Sequence, residues 1–295
     1  MAERKTGPSV TASDLQSENP GGVRLPPQEC GVIVNGVQWK ETATEIAPQL
    51  NEQGRRIRLS EDRAIIFVGD THGDLEATRR VFARYLSSDC TIVFLGDAVD
   101  RGPDSAANLD LILRTKIDHP DSVFLLMGNH EAWAVAAFSP ADFWQGLHPQ
   151  AARTLADLLS RLPFAADHPA GVLGLHGALP NLPAINAFES VELGSEAWRA
   201  ITWGDWTADP TRTASSGMLG RPTFGPAAFE RRAARLGVRV LVRSHQPFAP
   251  TYLYDDRCLT VFTSSAYGTG PRQVAVLKPG RRVRSARDLD LETID

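Results

Sequence analysis

Five short apolar runs in this chain stop on the same kind of residue, and no other feature constrains its folding as much. "AIIFVGDTHGD" ends at Asp70 and His72, "TIVFLGDAVD" at Asp97, and "SVFLLMGNHE" at Asn129 and His130. "GVLGLHGALP" ends at His176 and "RVLVRSHQP" at His245. Each run is four to six residues long, rich in Val, Ile, Leu and Phe, and bounded by Gly or Pro. That is the pattern of a strand buried on both faces.

Helical patterns lie between the runs, at residues 75–86, 105–115, 149–163 and 227–237. The alternation predicts an α/β fold with its polar residues at the C-terminal strand edges, where open sheets place their ligands. Residues 1–29 are rich in Gly, Pro, Ser and Glu and read as a flexible arm. Gly31–Trp39 carries an Asn-Gly turn signal and predicts a hairpin, and residues 40–56 predict a short helix ending at Gly54. The expected organisation is an N-terminal arm over 1–56, a catalytic domain over 57–280, and a solvated tail over 281–295.

Composition narrows the function. The 295 residues carry a net charge of -4, so no overall basic footprint points to nucleic acid. Cys30, Cys90 and Cys258 are far apart and in no C-x-x-C pair, which argues against a disulfide framework or a cysteine zinc site. "MAERKTGPSV" has no apolar h-region, and no apolar run approaches the ~18 residues of a membrane span. A cytoplasmic protein without a membrane partner is the expectation.

The strand ends collect Asp70, His72, Asp97, Asn129, His176 and His245. Oxygen and imidazole donors without thiolate suit divalent Mn, Fe or Zn. Six donors exceed one tetrahedral site, so two ions sharing a carboxylate is the economical reading. Two ions ~3.5–4 Å apart can clamp a phosphoryl group and activate the attacking water. A lone Gly-Asp after a strand is ordinarily a turn, and a lone buried histidine is ordinarily a core residue. Five strands ending this way do not fit that account.

"GDTHG" (69–73), "GDAVDRG" (96–102) and "GNHE" (128–131) resemble the three signature blocks of the metal-dependent phosphoprotein phosphatases, the PPP family. The likeness continues through "HGA" at 176, "TFG" at 223, "RSHQ" at 243 and "FTSSAYG" at 262, covering about residues 60–280. The resemblance implies a calcineurin-like metallophosphoesterase fold, a two-sheet β-sandwich flanked by helices. It implies that Asp70, His72 and Asp97 bind one metal, and that Asp97, Asn129, His176 and His245 bind a second, Asp97 bridging. His130 would be the general acid, Asp100 its orienting carboxylate, and Arg101 a phosphate clamp. The implied substrate is a phosphorylated protein or peptide, on Ser or Thr with Tyr as a further acceptor residue, and two divalent ions, manganese foremost, are the implied cofactors.

The chemistry stands beside the family. An alkoxide leaving group needs a proton, and a histidine held in one tautomer by a carboxylate can supply it. Arginine offers paired hydrogen bonds to phosphoryl oxygens. No Ser or Cys nucleophile motif stands out, as expected for direct attack by water.

Some positions depart from the family's pattern. Met127 stands where the eukaryotic enzymes carry Arg, "HGA" replaces "HGG", and Ser264-Ser265-Ala266 replaces Ala-Pro-Asn. Arg221 is the candidate second phosphate clamp, with Arg212 in reserve, and Tyr267 the candidate substrate-edge residue. These departures point to a bacterial-type branch. The tryptophans around 198–206 read as packing, with Trp203 or Trp206 the ones that could face substrate, and Asp205 as a turn residue or an orienting carboxylate. Two rivals follow. One is a nucleotide or dinucleoside-polyphosphate hydrolase on the same fold, whose diadenosine tetraphosphatase members commonly lack the Asp100 equivalent. The other is an inactive phosphopeptide-binding scaffold, which should have lost a ligand or the acid.

Overall fold

All five runs form strands. The computed structural model describes residues 33–34, 37–211, 215–216, 220–268 and 270–295. A hairpin of β1 (Ile33–Val34) and β2 (Val37–Gln38) leads into helix α1 (Trp39–Gln53). Next come β3 (Arg56–Arg58), β4 (Ala64–Val68), α2 (Leu75–Tyr85) and β5 (Cys90–Phe94). They are followed by α3 (Ser105–Asp118), β6 (Val123–Leu125), α4 (Asp142–Gln145) and α5 (Pro149–Leu159). β7 (Ala165–His168), β8 (Val172–Leu175) and α6 (Glu196–Trp203) precede three short strands. These are β9 (Asp205–Trp206), β10 (Ser215–Ser216) and β11 (Pro222–Phe224). Then follow α7 (Pro226–Leu236), β12 (Val240–Arg243) and β13 (Tyr252–Leu253). β14 (Cys258–Thr260), β15 (Gln273–Leu277) and β16 (Asp290–Thr293) come last.

Two mixed sheets carry the core. One has the order β16-β15-β4-β5-β6 and the other β13-β14-β12-β8-β7-β3. Strand periodicity decides which face each residue serves. Ile65, Phe67 and Val93 pack in one apolar cluster with Val172, Val240, Val242 and Leu259 of the opposite sheet. Their neighbours Ile66, Val68, Ile92 and Phe94 turn the other way, into a cluster with Val81, Phe82, Leu109 and Ile112 of α2 and α3. This is the expected sandwich flanked by helices. α2 shows how locally its elements are specified: Asp74 caps it by accepting from Ala77 N at 3.1 Å, and its buried face is Ala77, Thr78, Val81, Phe82 and Tyr85.

Two boundaries need correction. The tail over 281–295 is part of the fold, because β16 pairs antiparallel with β15 from Gln273↔Thr293 to Val276↔Asp290. Val283, Ala286, Leu289 and Ile294 are buried. Charge along this segment belongs to an edge strand, whose outer residues stay wet. The arm over 1–56 is also too long. Trp39, Ile46 and Leu50 lie on one face of α1 and are 1%, 0% and 2% exposed, and β3 pairs with β7. The helix does stop at Gly54, as expected, with a left-handed φ of 73°. The expected flexible arm over 1–29 lies outside the described residues. No helix among the described residues is long and apolar enough to cross a membrane.

Candidate metal centre

Strand register brings the candidate residues together. Val68 stands opposite Phe94 and Phe94 opposite Leu125 across three parallel strands. The segments leaving β4, β5 and β6 therefore begin at one level, which sets Asp70, Asp97 and Asn129 side by side. In the other sheet Val242 stands opposite Gly174, which brings His176 beside His245. The two sheets are stitched at this end. Asp70 N donates to Ser244 Oγ at 2.8 Å, and His245 N donates to Asp70 Oδ1 at 3.3 Å.

The turns are tight. His72, Asp97, Asp100, Arg101 and His245 all have positive φ, between 45° and 72°. A non-glycine residue held there costs about 1–3 kcal/mol, and such strain collects where geometry serves a site. Gly128 is required for packing, since a Cβ there would collide with the Asp97 carboxylate.

Asp70, His72, Asp97, Asn129, His130, His176 and His245 are each no more than 4% exposed. Their donor atoms converge. Asp97 Oδ2 lies 3.2 Å from His176 Nε2 and 3.9 Å from both His72 Nε2 and His130 Nε2. His176 Nε2 is 3.2 Å from Asn129 Oδ1 and 3.1 Å from His245 Nδ1. The Nδ1 of His72 is 2.9 Å from the Val99 carbonyl and that of His176 3.0 Å from the Leu95 carbonyl. Donation from Nδ1–H to those carbonyls fixes the tautomer and turns each Nε2 lone pair inward. Asp70 Oδ2 is buried with no hydrogen-bond partner, a costly state for a carboxylate oxygen unless a cation meets it. Two subsets present donor atoms within 4.8 Å of one another: His72, Asp97 and His130, and Asp97, His176 and His245. The set fits two divalent cations on either side of Asp97.

The electrostatics agree with that reading. Burial pushes the Asp97 carboxyl up, but His176 and His130 overcome it and hold it well below the usual range. Burial pushes His176 down, and Asp97 more than reverses this, raising it to about 9. A carboxylate facing an imidazolium is a pair whose proton a divalent ion would displace. Burial, then the charges of His176 and Arg221, keep His245 well below its ordinary value and therefore neutral, as a ligand must be.

Beside this cluster stands an acid pair. His130 Nδ1 is 2.6 Å from Asp100 Oδ2, and Asp100 Oδ1 accepts from Phe143 N at 2.7 Å. Burial lowers the His130 pKa, and Asp97 and Asp100 only partly offset it. Arg101 donates through Nε to the Tyr267 hydroxyl at 3.3 Å, and that hydroxyl is 3.5 Å from His72 Nε2. Arg101 Nη1 donates to the Pro140 carbonyl at 2.8 Å. Arg221 has Nη1 3.8 Å from Asp205 Oδ1 and its guanidinium 5.6 Å from the Trp203 ring centre. Arg212 lies outside the described residues. Met127, at the position of the family's arginine, is a core residue whose Sδ accepts from Trp198 Nε1 at 3.3 Å.

Three residues carry more than their sequence signal promised. Glu131, the last residue of "GNHE", accepts from Asp97 N at 2.7 Å, Ala98 N at 2.8 Å and Gly128 N at 2.9 Å. It ties the β5 turn to the β6 turn, a role its place in the block could have signalled. Burial and the Asp97 charge push its carboxyl up to about 7, against three N–H groups that favour the ionised form. Asp205, left open between turn and orienting roles, lies 3.4 Å from His245 Nε2, on the side of the ring away from the cluster. Phe248 is 81% exposed, with its ring centre 6.4 Å from that of Tyr267. No sequence pattern marked it. Trp206 and Trp198 are buried packing residues, and Trp203 lies 6.4 Å from the His245 ring.

The family described as calcineurin-like phosphoesterase matches residues 63–248. A probable serine/threonine-protein phosphatase of Encephalitozoon cuniculi is 29% identical over 252 residues, 77% of this chain and 55% of that protein. A serine/threonine-protein phosphatase of Arabidopsis thaliana is 26% identical over 247 residues, 72% of this chain and 24% of that protein. The chain thus spans about half of one curated relative and a quarter of the other. A protein serine/threonine phosphatase structure from Saccharomyces cerevisiae shares the fold at a TM-score of 0.74 and 23% identity, over 87% of this chain and 90% of that one.

Proposed function

Because the chain belongs to the calcineurin-like phosphoesterase family, we propose that it is a metal-dependent phosphomonoester hydrolase acting on phosphoserine and phosphothreonine in proteins. The observation that carries this reading is the buried His130–Asp100 pair at 2.6 Å, with His130 Nε2 turned toward Asp97. Asp70, His72 and Asp97 would hold one divalent ion, and Asp97, Asn129, His176 and His245 a second. Bound there, the two ions would polarise the phosphoryl oxygens and activate the attacking water. The oxygen-and-imidazole donor set suits manganese, iron or zinc, and we take manganese as the native ion.

The chain's own groups supply the rest. Asp100 accepts from His130 Nδ1, which leaves Nε2 as the atom that hands a proton to the departing serine or threonine oxygen. Arg101, held by the Pro140 carbonyl and Tyr267, directs its guanidinium at phosphoryl oxygens. Arg221, beside Asp205 and Trp203, serves as the second clamp. Asp205 Oδ1, 3.4 Å from His245 Nε2 with neither atom hydrogen-bonded, is placed to accept that N–H and orient the ring once an ion is bound. All proposed ligands and the acid are present, which an inactive scaffold would not require. Cys90 and Cys258 are free thiols, in keeping with a reducing compartment, and we place the protein in the cytoplasm.

An acid pair favours a poor leaving group, and a pyrophosphate linkage gains less from it. The manganese-loaded protein should therefore hydrolyse phosphoserine and phosphothreonine peptides with at least ~10-fold higher kcat/KM than diadenosine tetraphosphate, about 1.4 kcal/mol of transition-state preference. A side-by-side comparison at one pH and one metal concentration measures this. Preference for the dinucleotide would move the protein to the polyphosphate-hydrolase class.

A further inference from the structure

Tyr267, whose hydroxyl accepts from Arg101 Nε and stands 3.5 Å from His72 Nε2, is carried on a short turn. Gly268 N donates to the Ser265 carbonyl at 3.1 Å and closes that turn. Just before it, Thr263 pins the chain to the segment leaving β4. Its Oγ1 accepts from Gly69 N at 2.8 Å, and its N donates to the Asp70 carbonyl at 3.2 Å. Between that pin and the tyrosine lies Ser265, an exposed residue. Whatever holds Ser265 decides where the tyrosine hydroxyl stands.

Asp74 holds it. The Oδ1 of Asp74 caps α2 through Ala77 N, and a cap needs no more than that one oxygen. Oδ2 has no part in the cap. It accepts from Ser265 N at 3.0 Å, Ser265 Oγ at 2.9 Å and Arg272 Nε at 2.8 Å. Arg272 completes the bracket with Nη2, which donates to Asp74 Oδ1 at 3.2 Å and to Ser265 Oγ at 3.4 Å. Its remaining nitrogen, Nη1, donates to Asp295 Oδ1 at 3.1 Å, so the guanidinium is braced at every nitrogen. Paired bonds between a guanidinium and a carboxylate fix orientation as well as distance. Asp74 is 9% exposed, so water competes little for its oxygens. Ser265 stands at the proline of the family's Ala-Pro-Asn, and a proline has no N–H to give Asp74. Hydrogen bonds fix the turn here at a position where the family's pattern has a fixed φ.

We infer that Asp74, Ser265 and Arg272 are positioning residues for the substrate phosphate: they set the 265–268 turn so that the Tyr267 hydroxyl meets Arg101 and steadies its guanidinium. The inference rests on Arg101 being the phosphate clamp of the proposed function. Each of the three acts through Tyr267.

The test is a double-mutant cycle of Arg272→Met with Tyr267→Phe, in the full-length manganese-loaded protein on p-nitrophenyl phosphate. Arg272→Met alone should raise KM by ~3–10-fold, about the worth of one hydrogen bond, with kcat within ~2-fold of wild type. On the Tyr267→Phe background the same substitution should leave KM unmoved, because the hydroxyl it places is gone. Arg272→Lys, which keeps the charge and a donor, should recover part of the loss. Additive losses would overturn the inference, since Arg272 would then act by a route other than Tyr267. Hydrogen exchange gives a reading that needs no activity. In Arg272→Met the amides of 265–268 should exchange faster, while those of α2 and β15 keep their wild-type rates. Unchanged exchange at 265–268 would overturn the bracket whatever the kinetics, and faster exchange with KM unmoved would overturn its link to phosphate. A wild type that hydrolyses no phosphomonoester would remove the proposed function and with it the phosphate role, while exchange still decides the bracket. Should Arg272→Met not fold, Ser265→Ala, at an exposed position, gives the same readings.

Discussion

The two sheets feed one pocket by different means. The five-stranded sheet delivers its residues in dense blocks, at 69–73, 96–101 and 128–131, on turns that take left-handed φ at His72, Asp97, Asp100 and Arg101. Those blocks hold one another: Glu131 accepts backbone N–H groups from residues 97, 98 and 128. The six-stranded sheet delivers single histidines, and their supports come from elsewhere. His176 leans on the Leu95 carbonyl of the other sheet, and His245 on Asp205 forty residues earlier in the chain. The first half of the site is built by local turns, and the second by tertiary packing. The proposed proton donor and its carboxylate, whose chemistry would tolerate least displacement, sit in the locally built half.

Asp97 belongs to both halves, so it should give the largest effect. Its Oδ2 faces His176 at 3.2 Å and His72 at 3.9 Å, while Oδ1 accepts from His130 N at 2.9 Å. Asp97→Asn keeps the shape and removes the charge. Turnover of a phosphoserine peptide should fall by at least ~10³-fold, because both ions and the attacking water lose their shared reference. Elemental analysis should find at least one of two ions missing. Full metal content with turnover within ~10-fold of wild type would mean the halves work independently.

Next in size is the residue that gives the first half its own chemistry. His130→Asn should lower kcat on alkyl phosphates by ~10²–10⁴-fold, the range for a lost general acid. Metal content should hold, and the loss should shrink on p-nitrophenyl phosphate, whose leaving group hardly needs a proton. His130 Nε2 is as near Asp97 as His72 Nε2 is, so a metal-ligand role is the competing geometry. An equal loss on both substrates together with a missing ion would establish that competitor.

A smaller effect probes the second half alone. Asp205→Asn should weaken one of the two ions by ~10–100-fold, the usual cost of removing a partner behind a metal-bound histidine, and leave the other unchanged. Activity titrated with manganese should then become biphasic. A uniform weakening of both ions would show that the halves are mechanically one unit.

The same division explains what the sequence revealed. Asp70, His72, Asp97, Asn129 and His130 were legible because each follows an apolar run within a few residues, and glycine punctuates the turn. His176 and His245 were legible by the same rule, but their supports were not. Asp205 precedes His245 by forty positions, and only packing of β9 beside β11 turns it inward. The termini misled for a related reason. Leu289, Leu291 and Ile294 alternate with acids, which reads as solvated chain until β15 supplies the partner strand. Arg221 was legible as a cation near "TFG", yet its approach to Asp205 and Trp203 follows from the tertiary fold.

Phe248 should give the smallest effect and the sharpest separation of rim from centre. It follows His245 by three residues, yet it is 81% exposed where His245 is 4% exposed. Its ring stands 6.4 Å from that of Tyr267, whose hydroxyl accepts from Arg101 Nε at 3.3 Å. An aromatic face in water beside the proposed phosphate clamp would be placed to cover the residue flanking a phosphorylated side chain. Full burial of a phenylalanine is worth roughly 1.5–3 kcal/mol, and partial cover by a peptide about half of that. Phe248→Ala should therefore raise KM for phosphopeptides with an apolar neighbour by ~3–10-fold, with kcat unchanged. Peptides with glycine at the flanking position, and p-nitrophenyl phosphate, should be indifferent. Phe248→Leu should recover part of the loss, since apolar area rather than aromatic character is at stake. An equal loss on p-nitrophenyl phosphate would mean that the side chain props the His245 turn from outside, extending the tertiary-built half of the site to its rim.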